Sequence, residues 1–215
     1  MEKIILIGGG GHCKVIIDVL RLTKKFAIAG ILDKARPLGT DVLGVPVIGT
    51  DDDLREFYRR GIRNCFIAVG NVTASSVRET LYSLAKNNGY RFPTIVHPAG
   101  TISRFAAVEA GTYVGPGAIV NAGSQIGRQC IINTGAIIDH DCSLGDFVHI
   151  GPGTSLSGGV SVGACTMIGS GASLKHGISV GNRCVIGTGS AVVADIEDNT
   201  VAYGNPARPK KRNSE

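Results

Sequence analysis

An α/β domain with a parallel sheet, followed by an all-β parallel β-helix, is the fold class that this 215-residue chain predicts. Three observations predict it. An aliphatic residue falls at every sixth position from Ile102 to Val192. Four places after each of them comes a small or β-branched residue, in a column that runs from Ala106 to Ile196. Ahead of this repeat, strand-like runs alternate with helical ones, and the first run ends in Gly8, Gly9, Gly10 and Gly11.

A six-residue unit cannot bury its apolar side alone, so it must stack on its neighbours. Both columns are therefore assigned inward, and three hexads per coil give a triangular prism. Residues eighteen apart then stack at the interstrand spacing of about 4.8 Å. Glycine follows the aliphatic at Gly115, Gly127, Gly145, Gly151, Gly163, Gly169, Gly181 and Gly187, where the chain is expected to bend beside each short strand.

The α/β domain is assigned to residues 1–95. Strand Lys3 to Ile7, the glycine turn and a helix from about Cys13 to Lys24 come first, then strand Phe26 to Leu32 ending at Asp33. Thr50 and three aspartates cap a helix to about Arg60. Cys65 to Val69 forms a further strand closing in Gly70 and Asn71, and a helix from about Ala74 to Asn88 stops at Gly89. Such alternation implies a parallel sheet whose ligand sits at the carboxyl ends of the strands, beside Gly8 to His12, Asp33 and Gly70 to Asn71. The glycine turn and the following helix N-terminus suit a phosphate. Gly8 and Gly10 match two glycines of a dinucleotide fingerprint, but Cys13 takes the third place, which argues against NAD.

The net charge of +5 owes much to Arg208, Lys210, Lys211 and Arg212. These read either as a solvated, disordered tail or as contacts to phosphate on a ligand. Without interleaved aromatics or a recognised motif they do not indicate nucleic acid. Neither a signal peptide nor a membrane span is evident, and a cytoplasmic protein is expected. Six cysteines without a CxxC pair, three of them in the inward column (Cys130, Cys142, Cys184), read as reduced core thiols, and no metal is expected.

Chemistry is expected at His140, which lies between Asp139 and Asp141 at a coil corner, where side chains project outward. An imidazole oriented by a carboxylate takes a proton from a nucleophile at neutral pH. Gly158, eighteen residues on, offers its amide to a developing oxyanion. His149, on an outward face, is expected to line the same groove, and His176 reads as an exposed turn residue.

Gly8 to His12, His97-Pro98, Asn133-Thr134-Gly135, Asp139-His140-Asp141 and Tyr203-Gly204-Asn205-Pro206-Ala207-Arg208 together resemble the bacterial nucleotide-aminosugar acetyltransferases, which are grouped with sialic acid O-acetyltransferases. The resemblance covers nearly the whole chain. It implies a Rossmann-like domain over 1–95 that binds a nucleotide sugar, a left-handed β-helix over 96–200, a CoA-proximal segment over 201–215 and a homotrimer. The left hand comes from the resemblance, since parallel crossovers are generally right-handed.

On this resemblance His140 is the general base and Asp141 its orienting carboxylate, where some relatives carry glutamate. His149, Gly158, Gly204, Asn205, Pro206 and Arg208 meet acetyl-CoA. Gly10, Gly11, His12, Asp33, Lys34, Gly70, Asn71 and Asn133 hold the sugar nucleotide. The reaction implied is direct acetyl transfer from acetyl-CoA to the amine of a UDP-4-amino-4,6-dideoxy sugar. GDP-perosamine N-acetylation, O-acetylation of a sugar such as sialic acid, and a non-catalytic β-helix scaffold are the alternatives.

Overall fold

The computed structural model describes residues 1–70 and 76–213. They form two compact units, one of residues 1–70 and 76–95, the other beginning at Val96. In the first unit β1 (Glu2–Ile7), α1 (Gly11–Thr23), β2 (Phe26–Leu32), β3 (Asp41–Val42), β4 (Val45–Gly49), α2 (Leu54–Arg59), β5 (Asn64–Ile67) and α3 (Val77–Asn87) follow in order. The sheet order is β3-β4-β2-β1-β5, and all neighbours run parallel except β3 and β4. β1 is central, so Ile4, Ile5, Leu6 and Ile7 are all buried, as a parallel strand covered on both faces requires.

The β3–β4 hairpin was not expected. Its two turn residues, Leu43 and Gly44, both have positive φ (52° and 74°), the two-residue geometry that matches strand twist. Leucine there gives no turn signal in the sequence. Thr50 and Asp53 do close a capping box at a short 3-10 turn (Asp51–Asp53) that leads into α2. α3 begins at Val77, later than the spacing suggested, and the predicted residues 74 and 75 lie outside the described chain, as does Asn71.

In the second unit every strand from Thr101–Ile102 to Ala191–Val192 is two residues long, and each as far as Ser173–Leu174 pairs in parallel with the strand eighteen residues on: Val120 with Ile138, Ile126 with Leu144, Ile132 with Ile150. Three sheets result, as in a left-handed β-helix. Both assigned columns are buried from Val114 onward, and only Ile102, Ala106 and Val108 at the open end are partly so.

The small inner residues do more than fill space. Thr112, Ser124, Thr154 and Thr166 donate hydroxyls to the carbonyls of Gly127, Asp139, Gly169 and Gly181, each fifteen residues on. Cys130 and Cys142 donate thiols in the same way to Gly145 and Ser157. A buried carbonyl at a bend would otherwise be orphaned, so polar residues are tolerated in this core.

Two expectations are corrected. The glycines after the aliphatics do not adopt positive φ; a Cβ at Gly145, Gly151 or Gly163 would lie 2.7, 2.7 or 2.5 Å from a backbone nitrogen of the next coil. Close stacking of coils, not the bend, demands them. Positive φ falls instead three places after the aliphatic, where Asp141 is one of the non-glycine occupants (φ 59°). The second correction concerns the tail. Thr200–Gly204 and Ala207–Arg212 form an antiparallel hairpin that extends one sheet of the prism, so the basic segment to Arg212 is a strand and not a disordered tail. Among the described residues no helix is long and apolar enough to cross a membrane.

Candidate active site

The corner after strand Ile137–Ile138 carries Asp139, His140 and Asp141. Asp141 Oδ2 lies 2.9 Å from His140 Nδ1. That partner assigns the proton to Nδ1 and leaves the Nε2 lone pair free. Asp141 is aimed back at the ring by its left-handed backbone, which costs a non-glycine residue about 1 kcal/mol or more and is tolerated best by Asn and Asp. An outlier of this kind points toward a role for the side chain it aims. Asp139 accepts from the His140 amide at 2.8 Å and from Asn121 Nδ2 at 3.0 Å, and these bonds hold its carboxyl below the usual range. The His140 pKa is raised from 6.5, first by the bond to Asp141 and then by the charge of Asp139.

Missing side chains above and below make room for the pair. A Cβ at Gly123, one coil below, would clash with Asp141 Oδ1. A Cβ at Gly158, one coil above, would lie 2.5 Å from both Cε1 and Nε2 of His140. The free nitrogen of the imidazole thus opens over the Gly158 backbone. His176, a further coil up, has its ring centroid 6.4 Å from that of His140 and is exposed, as expected.

The Gly158 amide differs from five of its equivalents. Two places after the aliphatic, the N–H groups of Arg128, Thr134, His140, Ala164 and Asn182 each donate to a side-chain carboxylate or carboxamide oxygen, at 2.7 to 2.9 Å. Among the described residues nothing caps the N–H of Gly158, while that of Gly159 donates to the His140 carbonyl at 2.9 Å. The corner amides of Ala122, Asp146, Ser170, His176 and Thr188 are likewise given no acceptor among the described residues, but that of Gly158 lies directly under the His140 imidazole.

His149 is a correction. It is buried in its own chain, 7% exposed, in the strand His149–Ile150, which pairs with Ile131–Ile132 and Met167–Ile168. That sheet is the face of the prism opposite the His140 corner, so within one chain the two histidines do not share a groove. His149 Nε2 lies instead 3.4 Å from Asn133 Nδ2, and Asn133 Oδ1 accepts from the Thr134 amide.

In the first unit two of the expected loop ends, at Gly8 and Asp33, line one cleft. A cleft of about 220 Å³ at the carboxyl ends of the strands is lined by Gly8, Asp33, Lys34, Asp51, Val69 and Leu81, among others. Gly8 (φ 96°) is required there, since its Cβ would lie 2.5 Å from Val69 Cγ2, whereas a Cβ at Gly10 or Gly11 would meet nothing within 4 Å. These two glycines leave open space before α1. His12 is half-buried, and a Cβ at Gly70 would lie 3.5 Å from its Cβ.

Asp33 and Lys34 already have partners. Asp33 accepts from the amides of Gly9, Ala35 and Arg36 at 2.6, 2.7 and 3.1 Å, so its carboxylate shapes the glycine turn. Lys34 sits 3.3 Å from both Asp51 and Asp52. Asp51, which the sequence reading treated only as a helix cap, is thus part of the cleft.

Gly204, Asn205 and Pro206 form the tip of the terminal hairpin and are exposed, with a cis bond between Asn205 and Pro206. Arg208, Lys210 and Lys211 are exposed on its second strand, and Lys210 Nζ lies 5.2 Å from the centre of the Tyr203 ring.

A β-helix with an acid-flanked histidine beside an uncapped corner amide defines a hexapeptide-repeat acyltransferase. Residues 3–83 match the family model of the PglD N-terminal domain. A histidine variant of perosamine N-acetyltransferase from Caulobacter crescentus, solved in complex with CoA and GDP-perosamine, is 37% identical over 98% of each chain, with a TM-score of 0.93. The acetyltransferase domain of PglB from Neisseria gonorrhoeae in complex with acetyl coenzyme A is 35% identical over 97% of this chain and 99% of that one, with a TM-score of 0.88. WeeI from Acinetobacter baumannii shares the fold at 23% identity over 98% of this chain and 100% of that one, with a TM-score of 0.85. No curated protein sequence matches the chain. The chain belongs to the family of hexapeptide-repeat, acetyl-CoA-dependent sugar N-acetyltransferases.

Proposed function

We propose that this protein transfers the acetyl group of acetyl-CoA directly to the amine of a nucleotide-linked 4-amino-4,6-dideoxy sugar, with His140 as general base. The carrying observation is the His140–Asp141 pair standing beside the uncapped Gly158 amide. The amine nitrogen attacks the thioester carbonyl and forms the C–N bond while its proton passes to His140 Nε2. The oxyanion accepts from the Gly158 N–H. Collapse breaks the C–S bond, and the thiolate of CoA leaves and takes up the proton from the imidazolium. No acyl-enzyme is needed.

The cleft beside Gly8, Gly10, Gly11 and His12 supports a role in holding the nucleotide, with its diphosphate near the α1 N-terminus. UDP is the first reading for the base. The complex of the Caulobacter relative with GDP-perosamine supports GDP-perosamine as the second. Gly204, Asn205, Pro206 and Arg208 are assigned to the nucleotide end of CoA, where the cations of the terminal strand would meet phosphate. His149 and Asn133 take part only if a second copy brings their face to the His140 corner, which accords with a homotrimer.

The test is CoA thiol release by wild type and His140→Ala with UDP-4-amino-4,6-dideoxy sugars, GDP-perosamine and free sialic acid. Release with one amino-sugar nucleotide, reduced at least about 100-fold in the variant, is the expected result. Near-normal turnover by the variant would reject the base. Release with sialic acid alone would reject amine transfer.

A further inference from the structure

Behind the His140 corner, inside the prism, the thiol of Cys142 lies 3.3 Å from the carbonyl oxygen of Ser157. That carbonyl belongs to the same peptide unit as the Gly158 N–H. In a planar trans peptide the C=O and N–H point in opposite directions, so a carbonyl held inward sends the N–H outward.

Three equivalent peptides show the arrangement complete. Thr112 holds the Gly127 carbonyl at 2.9 Å and the Arg128 N–H meets Asp146 outside. Ser124 holds that of Asp139 at 2.6 Å and the His140 N–H meets the Asp139 carboxylate. Thr166 holds that of Gly181 at 2.7 Å and the Asn182 N–H meets Asp198. At Gly158 only the inner half is present. Gly158 and Gly159 in succession also give this turn little rigidity of its own.

We propose that Cys142 is a positioning residue: its S–H···O=C bond to Ser157 fixes the peptide plane that aims the Gly158 amide at the reacting carbonyl. This rests on the acetyl-transfer reading above. Burial pushes the Cys142 thiol pKa up, so the group remains an S–H donor through the neutral range.

The experiment compares Cys142→Ala and Cys142→Ser with Cys130→Ala and Cys184→Ala, measuring kcat, KM for acetyl-CoA and Tm for each. Cys130 and Cys184 make the same bond, to Gly145 and Glu197 at 3.1 and 3.0 Å, at a corner of the prism other than that of His140. Cys142→Ala should lower kcat about tenfold with KM changed less than about twofold, as expected when an oxyanion donor is misaimed but not removed. Cys142→Ser keeps a donor and should recover kcat. The two reference variants should lose similar Tm and keep kcat.

Cys142→Val supplies the volume without a donor, and stands in for the alanine variant should that not fold. Unchanged kcat in the donorless variants, equal loss in Cys142→Ser, or equal loss in Cys130→Ala would each overturn the proposal. A full-speed His140→Ala enzyme would instead remove the reading beneath it.

Discussion

Two corners of one prism are built from the same hexad and end differently. At one corner the protein satisfies three of its own outward amides: Asp146, Asn182 and Asp198 each supply an oxygen to the coil before, to the amides of Arg128, Ala164 and Asn182, at 2.7 to 2.9 Å. Among the described residues of the neighbouring corner only the His140 amide is given a side-chain acceptor, by Asp139. Ser157 takes the place that Asp139 holds one coil below, the Gly158 amide is left uncapped, and an imidazole lies alongside. The fold needs its corner amides to face outward and is indifferent to what they bind. What sets the Gly158 amide apart is the imidazole beside it.

This contrast can be broken first at the shared core. Ile138 is fully buried directly before the His140 corner, and Ile138→Asp places an unpaired charge in the prism. Destabilisation by more than about 4 kcal/mol is expected, read as loss of the cooperative thermal transition in circular dichroism. A variant that melted like wild type would mean that the corner residues project differently from this description. Gly158→Ala comes next. Its Cβ would displace only the His140 ring, an exposed side chain that can swing away at little cost in stability. Turnover should fall roughly tenfold to a hundredfold while Tm holds. Equal activity would show that the imidazole need not sit over that amide.

The same contrast explains what could be read beforehand. The hexad register was legible because each coil repeats the demand to bury one aliphatic, and the His140–Asp141 pair was legible because its members are adjacent in the chain. The tie between Asp139 and Asn121, and the space that Gly123 yields to Asp141, were not, since they join residues eighteen apart that meet only once the coil closes. That His149 is buried on its outward face was not legible, because its contact with Asn133 joins residues sixteen apart that meet only across neighbouring coils. Asp33 and Lys34 looked like free ligand contacts because their partners, Gly9, Asp51 and Asp52, lie elsewhere in the chain. Hairpin β3–β4 was hidden by Leu43 in a turn conformation that leucine rarely signals.

A smaller effect should follow from Asp141→Asn. The bond to Asp141 is the largest cause of the raised His140 pKa, and only unprotonated His140 can accept the proton of the amine. The acid limb of kcat/KM should therefore move to lower pH in the variant, with the plateau down about tenfold through loss of ring orientation. An acid limb at the same pH in both proteins would mean that another group titrates there.

The smallest effect is expected at the closed corner, and it matters most for the comparison. Asp146 accepts from the Arg128 amide at 2.9 Å and pairs with the Arg128 guanidinium at 2.8 Å, both half exposed. Solvent screening limits such a pair, so Asp146→Ala should cost about 1 kcal/mol or less, a shift in Tm of about 3 °C at most for a chain of this size. Uncapping the Arg128 amide makes a further open corner amide on the same prism, but without an imidazole beside it. Turnover should therefore remain at the wild-type value, since an exposed amide alone neither takes a proton nor orients an amine. If Asp146→Ala slowed acetyl transfer as much as Gly158→Ala, the two corners would not be separable, and activity would have to be attributed to the integrity of the whole coil stack.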